Sequence, residues 1–148
     1  MIVNTKYFGE MDVKDDDKIV FPDPLPGFED LSEFVIIRFY PDTDSILCLQ
    51  SLEDPELAFV IMNPFYVVKD YSPALSPEDR AVIAAKEDTP LSFYTIAVVH
   101  DDWNDSTVNL KCPIVVNTEN GLAKQLIMDE LTAYSMRHPI ALAAQKEE

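Results

Sequence analysis

The segment Phe34-Val35-Ile36-Ile37 carries apolar side chains at both odd and even positions. Because successive side chains of a strand point to opposite faces, this run predicts a strand that is covered on both sides. Three more apolar runs of strand length follow, separated by clusters of Pro, Asp, Asn and Ser: Ile46–Leu52, Leu57–Met62 and Leu91–Val99. Their short connections favour antiparallel pairing, as in a closed barrel or in a sheet packed under loops.

The N-terminal residues Ile2–Phe21 predict a hairpin. Apolar and polar side chains alternate along these residues, which is the pattern of half-buried strands. We expect the turn at Lys14–Lys18, which contains three consecutive aspartates. A calcium-binding loop would need acids at alternate positions, a central glycine and a closing glutamate, so this run is interpreted as a solvated turn.

A second hairpin is predicted around Asn120-Gly121. This pair separates the apolar runs Thr107–Asn117 and Leu122–Met128, and an Asn-Gly pair in that position is typical of a tight turn with positive φ at both residues. Pro113 interrupts the first run. Since proline lacks the backbone donor of a central strand, we expect a bulge or a sheet edge there.

One helix is predicted from Ser76 to about Ala85. Ser76 suits the N-cap and Pro77 the first helical position, while Glu78 and Asp79 complement the positive end of the helix dipole. Together, these segments predict a mainly β fold: a small single-domain, antiparallel, barrel-like structure with one or two short helices. We expect the domain to span residues 1–140 and a short tail to follow at residues 141–148.

The charge of the chain restricts its partners. Its 148 residues include 27 acidic and 11 basic side chains, which gives a formal net charge of -16. Direct binding of nucleic acid or of an anionic membrane surface needs clustered Lys and Arg, so neither partner is expected. The excess of acid instead favours a basic protein partner.

Motifs for catalysis or cofactor binding are missing from the sequence. With three glycines, the chain has neither a dinucleotide fingerprint nor a phosphate-binding loop. Cys48 and Cys112 lack the spacing of a zinc or redox pair, and His100 and His138 lack the spacing of metal ligands. We therefore expect no enzyme activity, no cofactor and no metal. The alternative is a small-barrel hydrolase or lyase with a centre at His138 or Cys112.

The sequence also predicts where the protein acts. The N-terminus lacks a basic segment followed by an apolar core, and no apolar run approaches the length of a membrane span. Two cysteines in separate apolar runs are typical of buried free thiols in a reducing compartment. We expect a cytoplasmic protein that is a monomer when free.

The loop Pro22–Asp30 is a candidate binding segment. Its prolines stiffen it, so apolar side chains on it would lose little entropy on binding a partner. Leu25 and Phe28 are the candidate anchors, and Glu29 adds a carboxylate beside them. The alternative use of both apolar side chains is as a lid on the core.

Two acidic segments supply further candidates. Asp54 lies in the segment Glu53–Glu56, while Asp101 and Asp102 precede Trp103, the only tryptophan. Carboxylates beside an aromatic ring would suit an arginine-bearing partner. In the alternative interpretation, Trp103 folds back onto the sheet. Pro64 and Phe65, which follow the run that ends at Met62, are weaker binding candidates. Tyr7, Phe59 and Val115 are instead expected in the core.

Five segments, in order, carry a resemblance to a known family: Asn4–Glu10, Pro26–Glu29, Leu49–Phe59, Asn109–Asn117 and Arg137–Ile140. They resemble the FliW family of flagellar assembly factors. The resemblance implies a cytoplasmic, non-enzymatic protein of flagellated bacteria with a small barrel-like fold. It also implies two alternating partners: the RNA-binding translational repressor CsrA, which the protein antagonises, and flagellin, which sequesters it.

Overall fold

A computed structural model describes residues 1–128 and 134–140 of the chain. Within them the chain forms eleven strands and two short α-helices. The strands are β1 (Ile2–Thr5), β2 (Gly9–Asp12), β3 (Lys18–Val20), β4 (Glu33–Arg38), β5 (Ile46–Ser51), β6 (Ala58–Met62), β7 (Leu91–Val98), β8 (Thr107–Val108), β9 (Ile114–Asn117), β10 (Ala123–Gln125) and β11 (His138–Pro139). The helices are α1 (Pro64–Val67) and α2 (Pro77–Val82). In the described residues, no helix has the length and apolar character needed to cross a membrane. The predicted tail at residues 141–148 lies outside the described residues.

The main sheet confirms the predicted antiparallel β fold. Its strand order is β10-β9-β7-β6-β5-β4-β3, and β8 pairs with β7 and with β11. The two ends of this order meet at one bridge between Val20 and Leu122, where the Val20 N–H donates to the Gly121 carbonyl at 2.9 Å. The sheet is therefore barrel-like, with one bridge rather than a full ladder at its seam.

Both faces of the central strands are buried, as the apolar run at Phe34 predicts. The inner face packs into the main core, which contains Phe34, Leu49 and Ile61. On the outer face, Cys48 belongs to a separate cluster that the β1–β2 hairpin covers with side chains such as Met11. Apolar area removed from water on both sides of the same strands stabilises the sheet.

The N-terminal hairpin is shorter than predicted, and its turn is elsewhere. β1 and β2 are joined at Lys6–Phe8, where the Thr5 hydroxyl donates to the Gly9 carbonyl at 2.7 Å and accepts from the Phe8 N–H at 2.9 Å. The acidic run that was predicted as the turn instead ends in β3, which pairs with β4. Burial of Ile19 in the main core drives this pairing, and local alternation gives no sign of it.

The Asn120-Gly121 hairpin forms with a wider loop than predicted. β9 and β10 pair with Val116 opposite Ala123, and the Gly121 N–H donates to the Asn117 carbonyl at 2.8 Å. Gly121 has a φ of +76°, whereas Asn120 does not have a positive φ. The run before the hairpin is broken at Pro113 into β8 and β9, which both pair with β7, so the expected interruption is confirmed.

Helix α2 starts where the sequence predicts. The Ser76 hydroxyl accepts from the Asp79 N–H, and the Asp79 carboxylate accepts from the Ser76 N–H, both at 3.0 Å, which is a capping box. The helix ends at Val82, three residues before the predicted end, because Ala84 takes a left-handed conformation with a φ of +53°. The other helix begins with an N-cap at Asn63, whose side chain accepts from the Phe65 N–H at 2.9 Å, and with Pro64 at the first helical position, a signal that sequence reasoning missed.

Asp79 should make stability depend on pH. Burial alone would raise the pKa of its carboxyl, but hydrogen bonds from Lys124 and Ser76 hold the pKa below its usual value. Because the pKa of the carboxyl is lower in the folded state than in the unfolded state, its contribution to stability is fully present above the unfolded-state pKa. It is lost as the pH falls through the folded-state pKa. We expect Asp79→Asn to lower the free energy of unfolding by about 1–2 kcal/mol at neutral pH and to flatten its decline below about pH 4.

Urea titrations between pH 3 and pH 7 measure this effect. Asp44→Asn is the matched control, because Asp44 forms an ion pair with Arg38 in which both side chains are more than half exposed. Such surface pairs contribute about 0–1 kcal/mol. Equal losses for the two variants at neutral pH would contradict the role given to Asp79.

Candidate partner-binding surface

Three candidate binding loops lie at one edge of the main sheet. The first precedes β4, the second joins β5 to β6, and the third follows β7. Phe34 pairs with Ser51, Gln50 with Ala58 and Val60 with Ala97 in antiparallel registers. These registers bring the starts of β4 and β6 and the ends of β5 and β7 to the same edge. We call this site the acidic edge and define it by Glu29, Asp54, Asp101 and Asp102.

Glu53 joins the first two loops. Its carboxylate accepts hydrogen bonds from the backbone N–H groups of Glu33 and Ser32, each at 2.8 Å. The hydrogen bonds from Glu33 and then Ser32 hold the pKa of Glu53 below its usual value. Glu53 therefore links the second loop to the first, whereas the carboxylate of its neighbour Asp54 bonds to Glu56 within its own loop.

Gln50 ties the second loop to the N-terminal hairpin. The side chain is fully buried, and its Oε1 accepts from the Lys6 N–H at 2.9 Å. Its Nε2 donates to the Pro55 carbonyl at 3.3 Å and to the Leu57 carbonyl at 3.1 Å. One amide thus connects parts of the chain that are 44 residues apart.

Three carboxylates of the acidic edge bond to nearby backbone. Glu29 accepts from Gly27, Asp54 from Glu56 and Asp102 from Asn104, at 3.0–3.1 Å. In residues 1–128 and 134–140, the ion pairs formed by Lys, Arg and the N-terminus involve other carboxylates. Within that part of the chain, the negative field of this edge is therefore not neutralised by neighbouring cations.

Leu25, a candidate surface anchor, is buried in the structure. The side chain is 3% exposed and belongs to the main core. The Phe28 N–H donates to the Leu25 carbonyl at 2.9 Å, which folds the loop down onto the barrel. Phe28 is half-buried, with its ring 5.3 Å from that of Phe59 in an edge-to-face contact. Of the two candidate anchors, only Phe28 retains partial exposure, and the alternative use as a core lid describes Leu25.

Pro64 and Phe65 lie at the opposite edge of the sheet. They follow the end of β6, where Met62 pairs with Ile46. Pro64 is buried, whereas Phe65 is 41% exposed beside the rings of Tyr71 and Phe93. The structure therefore separates these two residues from the acidic edge.

Comparison with known proteins gives the family. The sequence model described as "FliW protein" matches residues 2–140. The chain belongs to the FliW family. It is 38% identical to the flagellar assembly factor FliW of Ruminiclostridium cellulolyticum, over all of this chain and 99% of that protein. It is 33% identical to the protein of the same name from Bacillus subtilis, over 95% of this chain and 96% of that one.

A solved structure supports the same assignment. The crystal structure of a flagellar assembly factor FliW superposes with a TM-score of 0.86 at 29% sequence identity, covering 95% of this chain and 96% of that one. The FliW resemblance seen in the sequence is thus confirmed, together with the mainly β fold. FliW proteins are flagellar assembly factors, and this chain is a member of that family.

The segments that carry the FliW resemblance have clear structural roles. Asn4–Glu10 contains the turn of the N-terminal hairpin, and Leu49–Phe59 contains both Gln50 and the second loop of the acidic edge. Pro26–Glu29 is the turn that folds the first loop onto the core. Two of the matched segments, Pro26–Glu29 and Leu49–Phe59, therefore contribute loops to the acidic edge.

The cysteines lie in β5 and between β8 and β9, whereas His100 directly precedes Asp101 in the third loop of the acidic edge. Burial raises the pKa of the Cys48 thiol to about 11, so the thiol stays protonated and is a poor nucleophile. Cys112 is half-buried rather than buried as expected, and His138 lies in β11 opposite Val108. In the described part of the chain, no group of three or more His, Cys, Asp or Glu side chains is arranged to hold a metal ion.

Two aromatic residues expected to have roles in binding or in the core are Trp103 and Tyr7. Trp103 begins a short 3-10 turn after Asp102, and its side chain lies outside the described part of the structure. Tyr7, which was expected in the core, is 48% exposed at the hairpin turn, whereas Val115 is buried as expected. Tyr7 lines an apolar groove that sequence reasoning missed, because the groove forms only when the hairpin packs on the sheet.

Proposed function

We propose that this chain is a cytoplasmic, non-enzymatic flagellar assembly factor that switches between two protein partners. One partner is a CsrA-type RNA-binding repressor, whose activity the chain antagonises. The other is flagellin, which binds the chain and releases the repressor. The acidic edge is the observation that carries this proposal, since its carboxylates suit a basic protein surface and the family is one of flagellar assembly factors.

The acidic edge explains how the chain could weaken RNA binding without contacting RNA. An RNA-binding protein presents basic side chains to phosphates. A chain of net charge -16 held near that surface would repel RNA and attract the repressor. Preferential binding to an RNA-incompetent state of the repressor would add to the effect by linkage.

Flagellin is proposed to bind with a larger apolar contribution. Phe28 is the retained anchor of the first loop, since its ring is half-buried against Phe59. Apolar contacts respond less to salt than contacts between exposed charges do. Salt should therefore weaken the repressor complex more than it weakens the flagellin complex. We propose that the free chain is a monomer that binds neither nucleic acid nor membrane.

The direct test is a competition experiment. The purified chain is first saturated with CsrA-type repressor, and flagellin is then titrated into the complex at about physiological salt. We expect flagellin to displace the repressor. Persistence of the first complex at saturating flagellin would reject the switch, and absence of binding to both partners at micromolar concentration would reject the function.

Charge reversal at the acidic edge should slow association with the repressor. We expect the double variant Asp101→Lys, Asp102→Lys to reduce the association rate constant about tenfold at low salt, with a smaller reduction at high salt. Stopped-flow mixing at several salt concentrations measures this rate. The control is Asp15→Lys, Asp16→Lys, which makes the same change of charge in the exposed 3-10 turn before β3. An equal effect of both double variants would assign the steering to net charge rather than to this edge.

A further inference from the structure

An apolar groove crosses the outer face of the main sheet. It lies between the turn of the N-terminal hairpin and the end of β7. Its lining includes Tyr7, Tyr40, Ile46, Val60, Ala97 and Val99. The hairpin covers the outer face on one side of this groove, and a cluster around Tyr71 and Leu110 covers it on the other. Between these two covers, the groove runs over Ile46, Val60 and Ala97, which form its floor.

Exposed apolar side chains concentrate along this groove. Tyr40 is 60% exposed, Val98 54%, Tyr7 48% and Val99 44%, and all four line the groove. Single exposed apolar side chains are common, but a contiguous set marks a site of interaction. The sheet lies underneath, so the groove is held in shape before any partner arrives.

Carboxylates lie beyond both ends of the groove. At one end, Val99 is followed by His100 and then by Asp101 and Asp102 of the acidic edge. At the other end, Tyr40 is followed by Asp42 and Asp44, the second of which is paired with Arg38. One cation, Lys6, lies 5.4 Å from the centre of the Tyr7 ring at the side of the groove. The ends are therefore negative while the floor is apolar.

The length of the groove limits what it can hold. From β4 to β7 is three strand spacings, or about 14 Å across the strands. Arg38 is level with Ile96 through the strand registers, and Tyr40 and Val99 lie beyond these two residues in opposite directions, which adds about 17 Å along the strands. The diagonal is about 22 Å, and an extended peptide rises about 3.3 Å per residue, so about seven residues would cover this distance. The groove is thus sized for a short segment rather than for a whole folded surface.

We propose that the groove binds a short segment of the basic partner, with apolar residues in its centre and Lys or Arg at both ends. The apolar side chains fill the floor beside Tyr40 and Val60, and the terminal cations face Asp42 and Asp101. This inference rests on the proposed function, which brings a basic partner to the acidic edge. It adds a second, apolar part to that binding surface and gives the partner segment a defined chemistry.

A labelled synthetic peptide tests the inference without either natural partner. The probe is Lys-Lys-Leu-Met-Phe-Leu-Lys-Lys, and its binding to the full chain is measured by fluorescence anisotropy. We expect saturable binding to the unaltered chain. The affinity should fall about tenfold in Tyr40→Ser, because this variant loses one aromatic anchor. Tyr66→Ser is the matched control, because Tyr66 is 53% exposed on α1 and does not line the groove.

Two altered peptides separate the apolar and charged contributions. Replacing the four central residues by Ser should abolish binding, and replacing the four lysines by Glu should weaken it at least tenfold. Equal affinity of the Tyr40→Ser and Tyr66→Ser variants for the probe would overturn the inference. Dimerisation of the free chain that Tyr40→Ser abolishes would also overturn it, since a second copy would then occupy the groove.

The outcomes distinguish this inference from the proposed function. If the chain binds the repressor but Tyr40→Ser changes neither repressor nor peptide affinity, the groove is not the docking site and the function stands. If the probe binds in the groove while neither repressor nor flagellin binds the chain, the proposed function fails and the docking chemistry stands.

Discussion

Replacing Gly121 by alanine is expected to lower the free energy of unfolding by about 3 kcal/mol. Two costs add at this position. The φ of +76° is a left-handed conformation that strains a residue with a side chain. In addition, a Cβ atom built on Gly121 would lie 2.6 Å from the Lys18 carbonyl oxygen, so the backbone would have to shift.

The shift would fall at the seam of the barrel. Gly121 accepts the hydrogen bond from Val20, and the neighbouring Leu122 forms the bridge that joins the two ends of the sheet order. Moving β3 away from Gly121 would therefore weaken the contact that closes the structure. Burial of Ile19 and Phe21 in the main core beside this contact makes the movement costly.

Thermal unfolding measures the effect of Gly121→Ala, and we expect the midpoint to fall by roughly 6–12 °C. Gly9→Ala is a close control. Gly9 has a similar φ of +67°, but nothing lies within 4 Å of the position that an added Cβ would take, so only the conformational cost of about 1 kcal/mol applies. Equal losses for the two variants would show that the contact with Lys18 contributes nothing.

Replacing Gln50 by leucine is expected to cost about 2–4 kcal/mol of stability. Leucine preserves most of the volume of the fully buried side chain but removes its hydrogen bonds. The Lys6 N–H and the Pro55 carbonyl would each lose the partner that Gln50 provides. Unpaired polar groups in partly buried positions carry a desolvation penalty.

The effect of Gln50→Leu should be both global and local. Urea unfolding gives the change in stability, and hydrogen exchange should show faster exchange of the amides in the second loop of the acidic edge. Gln125→Leu is the control, because Gln125 is half-buried and forms one such bond, to the Cys112 carbonyl at 3.2 Å. A loss for Gln50→Leu no greater than for Gln125→Leu would refute the cross-linking role.

The sequence predicted those parts of the structure that depend on residues adjacent in the chain. The start of α2 follows from Ser76 and Pro77, whose capping preferences depend on a few adjacent residues. The interruption at Pro113 follows from a missing backbone donor. The turn of the N-terminal hairpin could not be placed in the same way, because β3 pairs with β4 only when Ile19 reaches the main core.

The candidate site was predicted in part. The acidic residues Glu29, Asp54, Asp101 and Asp102 were identified by residue type, but their common position at one edge depends on strand register. For Leu25 the sequence left two uses open, a binding anchor and a lid on the core, and the structure decides for the lid, since alternation does not report which way an irregular loop folds. The apolar groove had no sequence signal of its own.

By itself, the sequence determined the net charge of -16, the β character of the chain and its membership of the FliW family. These properties depend on composition, on short-range periodicity and on ordered motifs. The tertiary structure alone decided that three acidic loops meet at one edge and that the hairpin leaves a groove beside Tyr40 open. Register and packing arise from contacts between residues far apart in the chain, and a local pattern does not encode which distant strand a residue will meet.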